Sequence, residues 1–269
     1  MSVTKPRVFA IANQKGGVGK TTTAINLGTA LAATGRAVLV MDCDPQGNAS
    51  TGLDISPEER LVTSYDVIAG ARSLTSAIMA TKVPNLFLAP GDANLSGLET
   101  ELMSGLRPQH RLRDALAAYR AENNGGMFDY ILIDCPPSLN VLTVNALTAS
   151  DAVLVPLQCE FFALEGVAQL VQTIRAVQAN LNPTLDIQGI VLTMHDKRTK
   201  LADQVADEVR QHFGDKVYDT VIPRNVRLSE APSHGVPAIV YDISAPGSQA
   251  YIALAREVID RERALAQAA

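Results

Sequence analysis

Tryptophan is absent from this sequence and aromatic residues are only 4% of it, so a core of any size has to be built from Ala, Val, Leu and Ile. At 47% hydrophobic residues there is ample material for one. Cysteine is scarce and poorly spaced for chemistry. Cys43, Cys135 and Cys159 are odd in number and form no C-x-x-C pair, which argues against a disulfide framework or a zinc site and reads as reduced thiols of a cytosolic protein. No apolar run approaches the ~18–20 residues of a membrane span, and the short polar start, residues 1–7, has no signal-peptide pattern. A strong excess of one charge is also missing: Lys plus Arg number 23 and Asp plus Glu 28, a net charge of -5. Such a chain is not coated with basic charge, although a local basic patch is compatible with that balance. With no linker, repeat or low-complexity stretch, residues 1–269 read as a single domain.

What is present is an alternation of two patterns. Short apolar, β-branched runs occur at residues 8–12, 37–41, 130–133, 152–156 and 187–193, with weaker ones at 86–89 and 217–222. Their hydrophobicity is nearly continuous, as in parallel strands covered on both faces. Between them lie stretches with helical spacing at 20–34, 167–180, 201–213 and 248–263. The least regular region, 50–105, is expected to hold short helices and loops, and Gly125-Gly126 punctuates the approach to the 130–133 run. Alternation of this kind predicts an α/β fold with a doubly wound, mostly parallel sheet flanked by helices.

The first predicted strand runs into Asn13-Gln14-Lys15-Gly16-Gly17-Val18-Gly19-Lys20-Thr21-Thr22 and then into a helix. Strand, glycine-rich loop and helix N-terminus together form a phosphate cradle, with amide N–H groups and the helix dipole facing the anion. Gly16, Gly17, Val18 and Gly19 supply backbone to the phosphates, Lys20 reaches the β/γ oxygens, Thr21 suits Mg²⁺ and Thr22 the α-phosphate. The usual first glycine of G-x-x-x-x-G-K-[ST] is replaced by Gln14, and an extra lysine, Lys15, stands at the loop entrance. The bland reading, a glycine-rich strand–helix turn, does not require that spacing.

Two further strand ends carry acids. Asp134 follows four apolar residues and precedes Cys135-Pro136-Pro137-Ser138, which places a carboxylate near the loop for a magnesium ion. Asp42-Cys43-Asp44-Pro45-Gln46-Gly47-Asn48 follows the second run. Two readings stand for it: Asp44 positions an attacking water with Asp42 structural behind it, or the segment is an Asx-type turn that uses its side chains for backbone bonds. Cys43 and Cys135 are expected to pack beside the site without reacting. His110, His195, His212 and His234 show no metal or triad arrangement and read as surface or local hydrogen-bonding residues.

The segment Lys15-Gly16-Gly17-Val18-Gly19-Lys20-Thr21 resembles the deviant Walker A loop of the ParA/MinD ATPases, a P-loop NTPase family. The Asp42–Asn48 segment is similar to that family's switch I, and Ile133-Asp134-Cys135-Pro136-Pro137-Ser138 to its switch II. The segment from Ile222 to Gly235 resembles the chromosomal ParA (Soj) branch, and the likeness extends from about residue 7 to about residue 260. The resemblance implies a slow ATPase with ATP and Mg²⁺ as cofactors. It implies an ATP-dependent sandwich homodimer in which Lys15 crosses to the partner subunit's nucleotide and Asp44 orients water. Met194, Pro223 and Asn225 would contact the adenine.

The resemblance further implies that the dimer binds double-stranded DNA without sequence preference, through Arg198 and Arg227 and more loosely Lys200 and Arg224. A ParB-type centromere-binding partner would stimulate hydrolysis. Cytoplasmic, nucleoid-associated partition of a chromosome or plasmid follows from it. The sequence itself is neutral on DNA: seven basic residues between Lys197 and Arg227 are matched by seven acids between Asp196 and Glu230, so a solvated mixed face is equally compatible. Other classes on this scaffold are a MinD-like membrane-positioning ATPase, a partition ATPase for a protein cargo, a metabolic phosphate-transferring enzyme and an iron–sulfur reductase relative. The tail, residues 260–269, has one bulky apolar residue, Leu265, and little amphipathicity, which disfavours a membrane. The loop begins within about fifteen residues of the start, leaving no room before it for an operator-reading domain.

Overall fold

Along the central strands successive side chains enter two different cores, which is why these runs are continuously apolar. Val8 and Ala10 face one core while Phe9 and Ile11 face the other, and Leu39 and Met41 alternate in the same way with Val38 and Val40. The computed structural model describes residues 5–103, 107–124, 126–160 and 163–268, so the polar start through residue 4, positions 104–105 of the irregular region, Gly125 and the final residue lie outside the described residues.

The strands are β1 (Arg7–Ile11), β2 (Val38–Asp42), β3 (Met79–Ala80), β4 (Leu86–Ala89), β5 (Tyr130–Asp134), β6 (Ala152–Gln158), β7 (Asp186–His195) and β8 (Val217–Pro223). They form one sheet in the order β3-β4-β2-β5-β1-β6-β7-β8, parallel throughout except for β3 against β4. One face is covered by the helices Lys20–Ala32 and Pro246–Ala268, the other by Arg111–Glu122, Val141–Ala149, Ala163–Asn180 and Lys200–Phe213. This is the predicted doubly wound α/β sheet.

Differences from the sequence reading have local causes. Strands extend past their apolar runs because polar end residues such as Asp42, Asp134 and His195 continue the ladder. Helix Arg111–Glu122 buries only Leu112, Leu116 and Tyr119, a thin stripe among charged residues. Helix Val141–Ala149 is apolar nearly all round and shows no period; Asn140 caps it, accepting from Leu142 N at 3.1 Å and Thr143 N at 3.3 Å. Strand β3, two residues long, gives no pattern to detect.

Where the first helix presses on the sheet stands Gly28. A Cβ there would lie 3.2 Å from Val40 Cγ2 and 3.3 Å from Leu86 Cδ1. Gly28→Val is therefore expected to destabilise the protein by about 1–3 kcal/mol through overpacking. The check is the urea midpoint, and an equal or higher midpoint would contradict this packing.

Candidate functional site

Parallel register sets three strand ends level: Ile11 of β1 opposite Asp134 of β5, and Asp134 opposite Asp42 of β2. The loops carrying the expected site residues thus leave the sheet side by side, at the C-terminal edge where the strand order runs outward from β1 in both directions.

The glycine-rich loop is pinned at both ends. Buried Asn13 donates from Nδ2 to Pro156 O at 2.8 Å and accepts at Oδ1 from Lys15 N at 3.0 Å. Pro156 is tolerated in an interior strand because the β1–β6 ladder ends at Leu154, and its carbonyl receives the Asn13 amide. At the far end Thr193 Oγ1 donates to Val18 O at 2.8 Å. Between them Gly17 (φ 74°) and Gly19 (φ 89°) adopt left-handed conformations that other residues reach only with strain, and Gly19 leads into the helix Lys20–Ala32.

Lys20 is buried, with Nζ donating to Lys15 O at 2.9 Å. Burial lowers its pKa, opposed by the charge of Asp134 and, more weakly, by Cys135 and Asp44. Asp134 is buried and neither carboxylate oxygen has a hydrogen-bond partner, although the Thr21 side chain is close enough to favour the ionised form. Burial, and after it the charge of Asp42, pushes its pKa well above the usual carboxylate range. An orphaned carboxylate beside a hydroxyl and a lysine suits a cation that also touches an anion. Among the described residues no group of three or more His, Cys, Asp or Glu is placed to hold a metal ion, so a cation here would draw further ligands from the anion and water.

Asp42 and Asp44 separate in role. Asp42 is buried and accepts from Ser50 Oγ at 2.6 Å, Ser50 N at 2.9 Å and Asp44 N at 3.2 Å, a structural arrangement. Asp44 Oδ1 accepts from Gln46 N at 3.0 Å, so the turn bonds of the Asx reading exist. Yet the Asp44 carboxylate also lies among the charges acting on Lys20 and Asp134. Cys43 and Cys135 are buried beside these acids with their thiol pKa values raised, chiefly by burial, which keeps them protonated and inert. Lys15, half-exposed at the loop mouth, is ion-paired with Glu160 just beyond β6, a partner that no feature of the sequence marks.

A cavity of about 420 Å³ brings Gly19, Thr21 and Thr22 together with Met194, Pro223 and Asn225. Met194 holds a left-handed φ of 49°, and Asn225 Oδ1 is buried without a hydrogen-bond partner. Asn26, unmarked in the sequence, ties the cavity wall to the loop helix by accepting from Ala238 N and donating to Thr22 O, each at 2.9 Å. Arg198 and Arg224 line an adjoining cleft with Asp196 and Asp203 that shares Pro223, Arg224 and Asn225 with this cavity, whereas Lys200 and Arg227 are exposed outside its lining. Arg198 forks onto Asp196 at 2.9 and 2.6 Å, and Arg227 pairs with Glu230 at 2.7 Å and Asp242 at 3.6 Å. His195 makes a local contact with Asp203 at 3.0 Å.

A family model described as an AAA domain matches residues 6–187. The chain is 64% identical to the chromosome partitioning protein ParA of Caulobacter vibrioides, covering 98% of this chain and 97% of that protein. It is 52% identical to the sporulation initiation inhibitor protein Soj of Bacillus subtilis, covering 94% and 98%. Among solved structures it is similar to cobyrinic acid a,c-diamide synthase from Mycobacterium smegmatis with bound ADP and magnesium, at 36% identity and a TM-score of 0.82, covering 96% of each chain.

Burial lifts the Asp42 pKa from 3.8 to about 6. Between those values the folded chain binds the extra proton. The contribution of this group to stability is therefore present at low pH and is lost as pH rises through about 6. Asp42→Asn is expected to flatten the pH dependence of the denaturation midpoint of the ligand-free protein between about pH 4 and 7. An unchanged slope in the variant would contradict that assignment.

Proposed function

The chain belongs to the ParA/MinD family of ATPases, in its chromosome-partitioning ParA/Soj branch, and from that premise we propose that it is an ATP-dependent DNA-partition switch. The observation that carries the reading is the meeting of the glycine-rich loop, buried Lys20, the unbonded Asp134 carboxylate and Asp44 at one sheet edge. The chain is proposed to work as a single ATPase domain.

In this reading the amides of Gly16, Gly17, Val18 and Gly19 cradle the phosphates of ATP, Lys20 lies at the β/γ oxygens and Thr22 at the α-phosphate. Thr21 and Asp134 hold Mg²⁺, which neutralises phosphate charge when bound. Met194, Pro223 and Asn225 flank the adenine. Asp44 orients the water that attacks the γ-phosphate, and slow hydrolysis, stimulated by a ParB-type partner, ends the active state. Lys15 leaves Glu160 and reaches the nucleotide of a second copy, offsetting the negative charge that two facing nucleotides bring together.

Gly16 supports close approach of that second copy. A Cβ on it would meet only Pro137, at an ordinary 3.8 Å, and its backbone is not left-handed, so nothing within this chain demands glycine there. The cytoplasmic, nucleoid-associated dimer then binds duplex DNA through Arg198, Lys200, Arg224 and Arg227, with phosphates displacing Asp196 and Glu230 from the two paired arginines. Identity of 64% along nearly the whole chain with a partition protein favours this over the metabolic reading, whose relative stands at 36%. Among the described residues no helix is long and apolar enough to cross a membrane, and in the terminal helix Leu265 is the one bulky apolar side chain exposed beyond Asp260. Cargo other than a chromosome or plasmid has no supporting observation.

DNA retention measured with ATP, with ADP and without nucleotide across a salt series tests the reading. Retention should require ATP, fall steeply with salt and ignore sequence; retention indifferent to nucleotide would overturn it. Arg227→Glu should lose DNA while keeping ATP, and normal retention would move the patch elsewhere. Asp44→Ala should bind ATP, stop turning over and stay on DNA. Normal turnover in that variant would remove Asp44 from its role.

A further inference from the structure

Arg60 lies outside every role given above, yet its guanidinium bonds three residues on two segments around the Asp44 loop. Nη2 donates to Thr51 Oγ1 at 2.8 Å and to Ile55 O at 2.9 Å, Nε to Ile55 O at 3.2 Å, and Nη1 to Gly91 O at 3.1 Å. All of these acceptors are neutral, so the side chain works as a clamp whose geometry depends on the planar fork of arginine. Thr51 and Ile55 follow the Asp44 loop, and Gly91 follows β4.

A second chain of bonds holds the same loop from the sheet side. Asp42 accepts from Asp44 N and from Ser50, and Ser50 Oγ in turn accepts from Gly91 N at 3.0 Å. Gly91 is thus bonded through its N–H toward Asp42 and through its carbonyl to Arg60, closing a ring around residues 44–51. Inside that ring is Gly47, with φ 62° and its N–H on Asp44 O at 2.9 Å. A Cβ on Gly47 would collide with Arg60 Nη1 and come within 3.0 Å of Gly91 O, so the guanidinium rests directly against the backbone that carries Asp44.

We propose that Arg60 is a positioning residue for ATP hydrolysis: it fixes the Asp44 loop from outside so that the carboxylate keeps its aim, without touching nucleotide. The proposal rests on the reading that Asp44 orients the attacking water. Because a misplacement of about 1 Å at a reacting group costs on the order of 10²-fold in rate, loosening this clamp falls on turnover rather than on binding.

The test compares Arg60→Ala and Arg60→Lys in the full chain, measuring affinity for ATP, kcat at saturating ATP, and ATP-dependent DNA retention. Both variants are expected to keep ATP affinity within about twofold and to remain on DNA with ATP, while kcat falls roughly 10–100-fold. Lysine should not rescue, because it keeps the charge but not the fork. Unchanged kcat in either variant would overturn the proposal, as would ATP affinity falling in step with kcat, the mark of a general structural defect. Arg60→Lys, which preserves the stem and charge, answers the question if Arg60→Ala does not fold. Asp44→Ala run alongside separates the two failures: inactive Asp44→Ala with active Arg60 variants sinks only the clamp, whereas active Asp44→Ala sinks its premise.

Discussion

Three carboxylates and one lysine share the buried edge of the sheet: Asp42, Asp44 and Asp134 are the buried acids among the described residues, and Lys20 the buried base. The parallel register imposes this, since Asp42 and Asp134 are cross-strand neighbours and the loop after β1 starts beside them. Like charges at that spacing in a dry place cannot all remain ionised without help. Burial raises the pKa of both Asp42 and Asp134, but Asp42 is bonded by Ser50 whereas Asp134 has neither oxygen bonded. The Asp134 carboxylate is thus left unbonded beside Thr21 and Lys20, the arrangement on which the proposed magnesium-nucleotide site rests.

The same charge logic governs Lys15. In the single chain its ammonium is answered by Glu160, just beyond the strand that flanks β1 on the other side. Facing a second nucleotide it would be answered by phosphate. One lysine with two alternative counterions would give the loop a way to depend on a second copy, and at Gly16 a Cβ would meet nothing nearer than Pro137 at 3.8 Å. Arg198 is likewise held by Asp196, and Arg227 by Glu230 and Asp242, pairings that the proposed DNA contacts would have to displace.

Much of this is legible in the sequence alone. Phosphate chemistry demands particular residues at adjacent positions, so Lys15 to Thr22 stand out as a word, and the buried strands stand out by continuous hydrophobicity. Asp42 and Asp134 were legible as strand-end acids, but only the register showed which is satisfied and which is left open. Ser50, Gly91, Arg60, Glu160 and Asn26 were not legible, because each acts through a neighbour far away in sequence and carries no local pattern. The balanced charges of Asp196 to Glu230 stayed ambiguous for a related reason: the cleft that gathers Arg198 and Arg224 also gathers Asp196 and Asp203.

The proposed switch requires that nucleotide make this chain a dimer through Lys15. Sedimentation velocity of Asp44→Ala, with ATP and with ADP, compared with the same variant carrying Lys15→Ala, tests it most directly. Asp44→Ala should be a dimer with ATP and a monomer with ADP, and an ATP-bound monomer once Lys15 is removed. A dimer that forms equally well with ADP, or that persists without Lys15, would contradict it.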